Sequence, residues 1–279
     1  ARISGSLPDL GCYEFDLPAS QSIIYVNSNA TGSNNGNSWA NAYTDLQDAI
    51  NAATQGNDIW VALGQYRPFD YSIPINQIDP TSSFNPECGV SLYGGFVGFE
   101  TSLDQRMPGA RSTLTGINSL NAAAVYHVVR LKDWSANSVI DGFNIEYGYA
   151  SNAAAVPSGG GIWATNAYGK IKNCSFRANG AASKGSYIYI AGNSNLSIVD
   201  CIFKDLSNVT PERGGHIAVE NSSLFINKCK SSQAISGLGG TFLYAKNASI
   251  DIQNSSISDC YADQNIFELE SGSFLNMDY

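Results

Sequence analysis

The sequence predicts an all-β protein: a right-handed parallel β-helix (solenoid) with one short N-terminal capping α-helix. Two observations in the second half of the 279-residue chain carry this prediction. A unit of two short strands recurs every 25 to 29 residues, and apolar side chains within each strand stand two positions apart. A spacing of two is typical of a strand, and a repeat of this length is typical of a coil whose turns stack on one another.

The first strand of each unit contributes two apolar columns with a third column between them. Because successive side chains of a strand point to opposite faces, we expect the apolar columns to point inward and the third column outward. The first inward column is Ile162, Ile188, Ile217, Phe242 and Phe267, the second is Ala164, Ile190, Val219, Tyr244 and Leu269, and the outward column is Trp163, Tyr189, Ala218, Leu243 and Glu268.

A polar break and a second strand follow in each unit. The breaks are Asn166, Asn193, Asn221, Asn247 and Gly272; the second strand carries Ile171, Ile198, Ile226, Ile252 and Met277, then Cys174, Cys201, Cys229 and Ser255, then Phe176, Phe203, Ser231 and Ile257. An antiparallel sandwich of many short strands is the alternative, but it does not require the same residue type to recur in every unit. The recurring columns favour the solenoid.

The two ends of the chain complete each other. Met277, Asp278 and Tyr279 begin a strand, and Ala1, Arg2 and Ile3 supply its missing small and apolar positions. We therefore expect one period of a tandem array: 1–16 ends the preceding module, 17–22 is a linker, and 23–279 is the β-helix module. A chance match of two short segments is the alternative.

Composition excludes several classes of partner. The formal net charge is −9 and no basic cluster is interleaved with aromatic residues, so nucleic acid and anionic membranes are not expected partners. Apolar runs are too short to span a bilayer, and no signal-peptide pattern opens this piece of the chain.

The six cysteines predict mostly a structural role. Cys174, Cys201 and Cys229 would stack in one inward column at about the 4.8 Å strand spacing, which suits buried reduced thiols and is also compatible with a disulfide. Zinc is disfavoured because no CxxC pair occurs. The partners of Cys12 and Cys88 stay open.

The first half of the chain is less regular. After a strand at Ile23–Val26, a helix is expected at about 44–54, with Thr44 and Gln47 as a capping box, covering the open end of the solenoid. Strands are expected at 58–63 and 89–96. Loop insertions are expected at about 66–118 and 147–160, and regular rungs at about 126–279.

The loop after the first strand is a candidate calcium loop. Asn27, Asn29 and Thr31 stand at alternating positions, but the loop lacks carboxylates. An ordinary Asn/Gly turn is the favoured alternative, and no cofactor is expected.

Several segments resemble a known family. Segment 9–15 (DLGCYEF) is similar to a domain ending, although Cys12 replaces the usual alanine. The other matching segments are 24–27, 39–43, 59–66, 93–96, 100–103 and 105–106. Together these segments resemble the β-helix domains of giant exported, type IX-secreted bacterial surface proteins, such as gliding adhesins and grappling-hook fibres.

The resemblance implies an extracellular, cell-surface structural protein rather than an enzyme. On this reading identical modules join head to tail, pack laterally as a homo-oligomer, and contact a surface or its glycans. The family has no shared catalytic residues to transfer.

A carbohydrate-active β-helix enzyme, a polysaccharide lyase or glycoside hydrolase, is the alternative. It needs clustered carboxylates, and the column Asp141, Asn173, Asp200, Lys228, Asn254 is the candidate. Asp141 and Asp200 would lie two rungs apart, about 9.6 Å at the usual strand spacing. A solvated ladder of alternating charge is favoured instead, and His127 and His216 are expected to be structural.

The outward Trp163 and Tyr189 are the binding candidates. Stacked on adjacent rungs, they suit a sugar ring, a contact with a neighbouring protofilament, or a position beneath the 147–160 insertion. The last of these is favoured.

Overall fold

The chain folds into a parallel β-helix, which confirms the predicted fold class. In the computed structural model, the described residues are 22–70, 72–117, 125–204, 211–260 and 265–278, with the backbone of two short strands before them. Three parallel sheets, here called A, B and C, wind round one hydrophobic core. Each regular turn gives one strand to each sheet, in the order C, A, B.

Sheet A has nine strands and sheet B has seven. The strands of sheet A are β3 (Ile23–Val26), β4 (Asp58–Ala62), β6 (Ser91–Phe96), β9 (Val139–Asp141), β13 (Tyr168–Lys172), β17 (Asn195–Val199), β20 (Ser223–Asn227), β23 (Ser249–Gln253) and β26 (Phe274–Asp278). Those of sheet B are β5 (Gln65–Tyr66), β7 (Ser112–Thr115), β10 (Phe143–Glu146), β14 (Ser175–Arg177), β18 (Ile202–Phe203), β21 (Lys230–Ser231) and β24 (Ser256–Ile257).

Sheet C has six strands. They are β8 (Val129–Lys132), β12 (Ile162–Thr165), β16 (Ile188–Ala191), β19 (Ile217–Glu220), β22 (Leu243–Lys246) and β25 (Phe267–Leu269). The remaining elements are a hairpin of β1 (Ile3–Ser4) and β2 (Leu7–Pro8), a pair of β11 (Tyr149–Ala150) and β15 (Gly180–Ala181), the helix α1 (Leu46–Ala52), and 3-10 turns at Ile75–Gln77 and Leu103–Gln105.

The predicted inner column of sheet A is confirmed and is longer than predicted. Its isoleucines pair in register from β13 to β23 and reach Met277 in β26. Ile140, Leu92, Ile59 and Ile24 continue it through the first rungs. Because like side chains meet at each step, a slip by one residue would turn every apolar group outward, so burial fixes the register.

The predicted register of β22 is wrong by one residue. Ile217 pairs with Leu243 rather than with Phe242, and Ala218 pairs with Tyr244. Phe242 instead follows Tyr187 and His216 in a further buried column just before the strand, where the three rings lie next to one another. Tyr244 consequently belongs to the outward column.

The predicted polar breaks are left-handed corners. Asn166, Asn193, Asn221 and Asn247 have φ between 48° and 63°, and Gly272 takes the equivalent position at 80°. Asparagine and glycine tolerate this conformation better than other residues, which explains why the breaks recur as Asn. The side chains also form a ladder, since Asn247 Nδ2 donates to Asn221 Oδ1 at 2.8 Å.

The stacked cysteines are buried free thiols, as predicted. Each sulfur lies within 4 Å of a backbone carbonyl of the neighbouring rung, and burial raises the pKa of Cys201. Cys88 is disulfide-bonded to a partner outside the described residues.

The first end of the solenoid is covered. Helix α1 buries Leu46, Ala49 and Ile50 in the main core. The predicted cap residue is wrong: Asp45, not Thr44, is the N-cap, and its carboxylate accepts from Gln47 N at 2.6 Å. Asp45 rather than Thr44 caps the helix because its side chain reaches the backbone N–H of Gln47, the second residue of the helix.

The loop before the helix covers the edge of β3. Tyr43 bridges to Val26, Tyr43 N donates to the Tyr25 carbonyl, and Tyr25 N donates to the Gly36 carbonyl in this loop. Gly36 has a φ of 72°, and a Cβ on it would come within 2.6 Å of the Tyr43 ring. Only glycine fits this close approach.

A second apolar cluster lies outside sheet A in the first rungs. Trp60, Tyr93 and Phe96 are buried there beneath Trp39 and Leu103. The part of the predicted 66–118 insertion that carries Leu103 therefore covers sheet A, whereas Phe84 joins the main core, and β6 and β7 arise within the predicted insertion.

Candidate functional site

The last rung forms an open end. In the described part of the chain, β24, β25 and β26 are the outermost strands of their sheets and have no further strand beside them. Their inward side chains lie on the core but are only partly buried: Ile257, Phe267, Leu275 and Met277. Phe274 is 75% exposed at the same end.

The proposed junction residues divide between two places. Met277 and Asp278 pair with Ile252 and Gln253 in sheet A, so Met277 occupies the predicted column. Within the same chain, Ile3 lies instead in the hairpin with Pro8. Ala1, Arg2 and Tyr279 lie outside the described residues, as does most of 1–22. The module division and the junction stay predictions, because they concern a following copy.

Trp163 and Tyr189 lie side by side on the outer face of sheet C, as predicted. In the corrected register Tyr244 replaces Leu243 in the outward column, and Arg130 extends the column at one end. The column reads Arg130, Trp163, Tyr189, Ala218, Tyr244, Glu268. We call this column the sheet C outer strip.

The strip is covered rather than open. The guanidinium of Arg130 lies 5.0 Å from the Trp163 ring. Gly159, at the end of the 147–160 insertion, packs so closely on Tyr189 that an added Cβ would come within 2.8 Å. Of the three predicted roles, the position beneath the insertion agrees best with these contacts.

A charged ladder covers the rest of the strip. Ser158, Lys184, Arg213 and Gly239 bridge to one another in parallel, one rung apart. Both the Lys184 ammonium and the Arg213 guanidinium lie 5.4 Å from the Tyr244 ring. The strip therefore has a layer of cations over its aromatic rings, an attractive geometry.

Carboxylates tie this ladder to sheet C. Glu220 accepts from Lys184 Nζ at 2.8 Å and from the Tyr189 hydroxyl. Glu268 pairs with Arg213, and Glu270 pairs with Arg213 at 3.0 Å and with Lys246 at 3.1 Å.

These contacts shift the pKa values of Tyr189 and Glu220. Burial and the hydrogen bond to Glu220 raise the pKa of Tyr189. Burial opposes ionisation of Glu220, but the hydrogen bonds from Lys184 and Tyr189 outweigh it and lower the pKa of that carboxyl. The opposite charges of the network are therefore paired with one another.

Asp141 and Asp200, the candidate acid pair of the enzymatic alternative, do not share a column, so the column expected for them is wrong. Asp141 pairs with Lys172, and Gly142 takes the position expected for it. Gly142, Asn173 and Asp200 are the left-handed corners of successive rungs, which explains the one-residue offset. Asp200 is exposed, whereas Asp141 is 4% exposed.

Asp141 is held in an ion pair instead. Arg106 Nη2 lies 3.2 Å from Asp141 Oδ2, and Asn173 Nδ2 donates to Asp141 Oδ1 at 2.9 Å. Arg106 also donates to the carbonyls of Gly94 and Leu103. These contacts fasten the covering loop to sheet A. A polar cavity of about 420 Å³ beside them is lined by Arg106, Asp141 and Arg111, among others.

The family-like segments of this region meet around the same loop. The buried carboxylate of Glu100 accepts from the backbone N–H groups of Val97, Gly98 and Phe99 at 2.7 to 3.1 Å. Trp39 Nε1 donates to the Glu100 carbonyl at 2.8 Å. Glu100 thus has a structural role, because its contacts hold the loop in place.

In the candidate calcium loop, the Asn27 side chain stabilises a turn. Asn27 Oδ1 accepts from Asn29 N at 3.0 Å, an Asx turn, and Thr31 is exposed. Within the described ranges, no group of three or more His, Cys, Asp or Glu side chains is placed to hold a metal ion. No helix among the same residues is long and apolar enough to cross a bilayer.

Sequence reasoning missed the Lys184 and Arg213 ladder. These two residues stand outside the strands, and the distances between them and the sheet C glutamates vary along the chain. A glycine follows each member of the ladder, at 159, 185, 214 and 240, and each of these glycines has a positive φ. The recurring glycine was the available signal in the sequence.

The three parallel sheets place the chain among the parallel β-helix proteins. The sequence matches no protein-family model and no curated protein. Among solved structures it is similar to one described as "Rhamnogalacturonan lyase", with 13% identity over 84% of this chain and 74% of that chain and a TM-score of 0.27. A likeness this weak carries no argument about activity.

Proposed function

We propose that the protein is a structural repeat module of a large extracellular filament or adhesin, joined head to tail to identical modules. The observation that carries the proposal is the contrast between the two ends. The first rung is covered by α1 and its loop, whereas the last rung, as far as the described residues go, presents three strand edges and a partly exposed core. Solenoids need such an end covered by a neighbour or a cap.

The covered first rung limits how copies join. Because the edge of β3 is occupied by the Tyr43 loop, a preceding copy does not pair with β3 directly. Residues 1–16 of the following copy complete the last rung instead, with Ile3 following Met277 across the junction. This arrangement satisfies the open edge and leaves the covered end intact.

The disulfide at Cys88 supports an extracellular location, since disulfides persist in oxidising compartments. The sheet C outer strip supports a structural role, because its charged groups are paired with one another. The lateral packing of fibres and the surface that they contact are further parts of the proposal.

Hydrogen exchange on a chain carrying two copies tests the junction. Ile3 of the following copy would lie beside Ile257 in sheet B, so the amides of β24 in the first copy should exchange more slowly than in a single copy, while those of β13 and β17 should be unchanged. Equal exchange of β24 in both proteins would refute the junction.

Microscopy and activity assays separate this proposal from the enzymatic alternative. We expect tandem chains to form fibres with a regular axial repeat and to leave acidic polysaccharides intact. Turnover that is lost in Asp141→Asn or Asp200→Asn would support a lyase or hydrolase instead.

A further inference from the structure

We propose that a groove on the outer face of sheet B binds a short oligosaccharide. The groove has a volume of about 330 Å³ and crosses the rungs from Gln65 to Lys204. We call it the sheet B groove. It lies on a different sheet from Trp163 and Tyr189, and it does not require the tandem junction.

A buried carboxylate lies at the centre of the groove. Glu146 is only 6% exposed, and its Oε2 accepts both bonds from Arg177, at 2.6 and 3.1 Å. Within the described residues, Glu146 Oε1 makes no hydrogen bond. Because Glu146 lines the groove, this carboxylate oxygen is available to accept a hydrogen bond from a hydroxyl group of a ligand.

Neighbouring rungs add further groups with hydrogen-bonding capacity. Gln65, Thr113, Asn144 and Ser175 pair in one outward column. Asn144 Nδ2 donates to Thr113 Oγ1 at 3.2 Å, and its Oδ1 has no partner in the described chain. Ser175, 7% exposed, likewise makes no side-chain hydrogen bond there.

The spacing fits an extended polyhydroxylated ligand. The three steps from Gln65 to Ser175 cover about 14 Å at the usual distance between strands. Acceptors at Asn144 and Glu146 and a hydroxyl at Ser175 suit a chain of sugar hydroxyls, which both donate and accept.

Charge favours an acidic sugar at one end. Arg177 neutralises Glu146, whereas Lys204 is exposed and has no ion pair in the described chain. A sugar carboxylate near Lys204 would add a charge-assisted contact.

The test is binding of a single copy to an immobilised panel of neutral and acidic oligosaccharides. We expect binding, with a preference for acidic members. Asn144→Ala and Glu146→Gln should each weaken it about tenfold, the size of one lost hydrogen bond to a buried or charged group. Asn195→Ala, an outward asparagine on sheet A, is the matched control and should bind as wild type.

Each other outcome is decisive. The site is refuted if no oligosaccharide of the panel binds, or if Asn144→Ala and Glu146→Gln both bind as wild type. An equal loss of binding in Asn195→Ala would place binding on another face and would also refute the site. Lys204→Ala should remove the acidic preference and keep neutral binding. A preference that survives in Lys204→Ala overturns the role of Lys204. Thermal unfolding of each variant separates lost binding from lost folding.

Discussion

One outward column of sheet A changes its chemistry halfway along the solenoid. In the first three rungs it reads Tyr25, Trp60, Tyr93, and after Asp141 it reads Lys172, Val199, Asn227, Gln253, Asp278. The first part is covered by a second apolar layer and the last part faces solvent. The same backbone geometry thus serves a buried and a solvated face.

The difference shows how a solenoid adds a layer without changing its coil. β4 and β6 are buried at every position, whereas β17, β20 and β23 alternate between buried and more exposed residues. Asp141 marks the boundary, where Arg106 from the covering loop pairs with it. Beyond this point sheet A needs apolar residues only on its inner face.

The largest expected effect comes from emptying the covered half. Trp60→Ala removes a side chain that is 4% exposed and stacked on Phe96 at 4.6 Å. We expect urea unfolding to show a loss of about 3–5 kcal/mol, as for other large core truncations. Gln253→Ala, in the same column of the open half, should change stability by less than about 0.5 kcal/mol. Equal losses would contradict the two-sided burial.

The boundary ion pair is expected to have the next largest effect. Arg106→Ala leaves the Asp141 carboxylate nearly buried without its cation, which should cost about 2–4 kcal/mol by urea unfolding. Lys246→Ala breaks a more exposed pair and should cost under about 1 kcal/mol.

Asp141→Asn in the Arg106→Ala background sharpens this measurement. Because the amide carries no buried charge, the double variant should recover part of the lost stability. Additive losses would show that Arg106 acts through packing of the loop alone.

The two histidines, both beyond the covered rungs, predict acid sensitivity. Burial lowers the pKa of His127 to about 4 and that of His216 to about 3. The unfolded chain therefore binds more protons below about pH 6.5, so stability should fall as pH drops from there through the folded pKa values. His216→Phe keeps a ring between Tyr187 and Phe242 and should reduce this slope in unfolding curves measured from pH 7 to pH 3. An unchanged slope would contradict a neutral, buried His216.

The smallest effect is expected at an open corner. Asn221 has a φ of 49°, so Asn221→Gly should shift stability by only a few tenths of a kcal/mol. Asn221→Ala should cost about 1–2 kcal/mol, because alanine keeps the Cβ that disfavours this conformation but loses the polar side chain that makes it tolerable for asparagine. Thermal unfolding of both variants measures the difference, and a reversed order would contradict the corner assignment.

Where apolar residues alternate, the sequence predicted the rungs closely. The isoleucine column, the phenylalanine column, the buried thiols and the asparagine corners all stand where the repeat placed them. The register failed at Phe242 because adjacent buried columns make two phases of the pattern equally apolar. The predicted register failed at Asp141 because Gly142, which has no side chain to mark its position in the pattern, occupies the left-handed corner.

The sequence by itself determined the repeat, the inward columns and the corners, since burial of alternate residues and the left-handed preference of Asn and Gly act locally along each strand and turn. Only the tertiary structure decided which faces are covered. The loop that carries Glu100 and Arg106 over sheet A, the Lys184 and Arg213 ladder over sheet C, and the groove at Glu146 bring together residues from separate turns. Their spacing along the chain is set by loops of unequal length, so no period in the sequence records them.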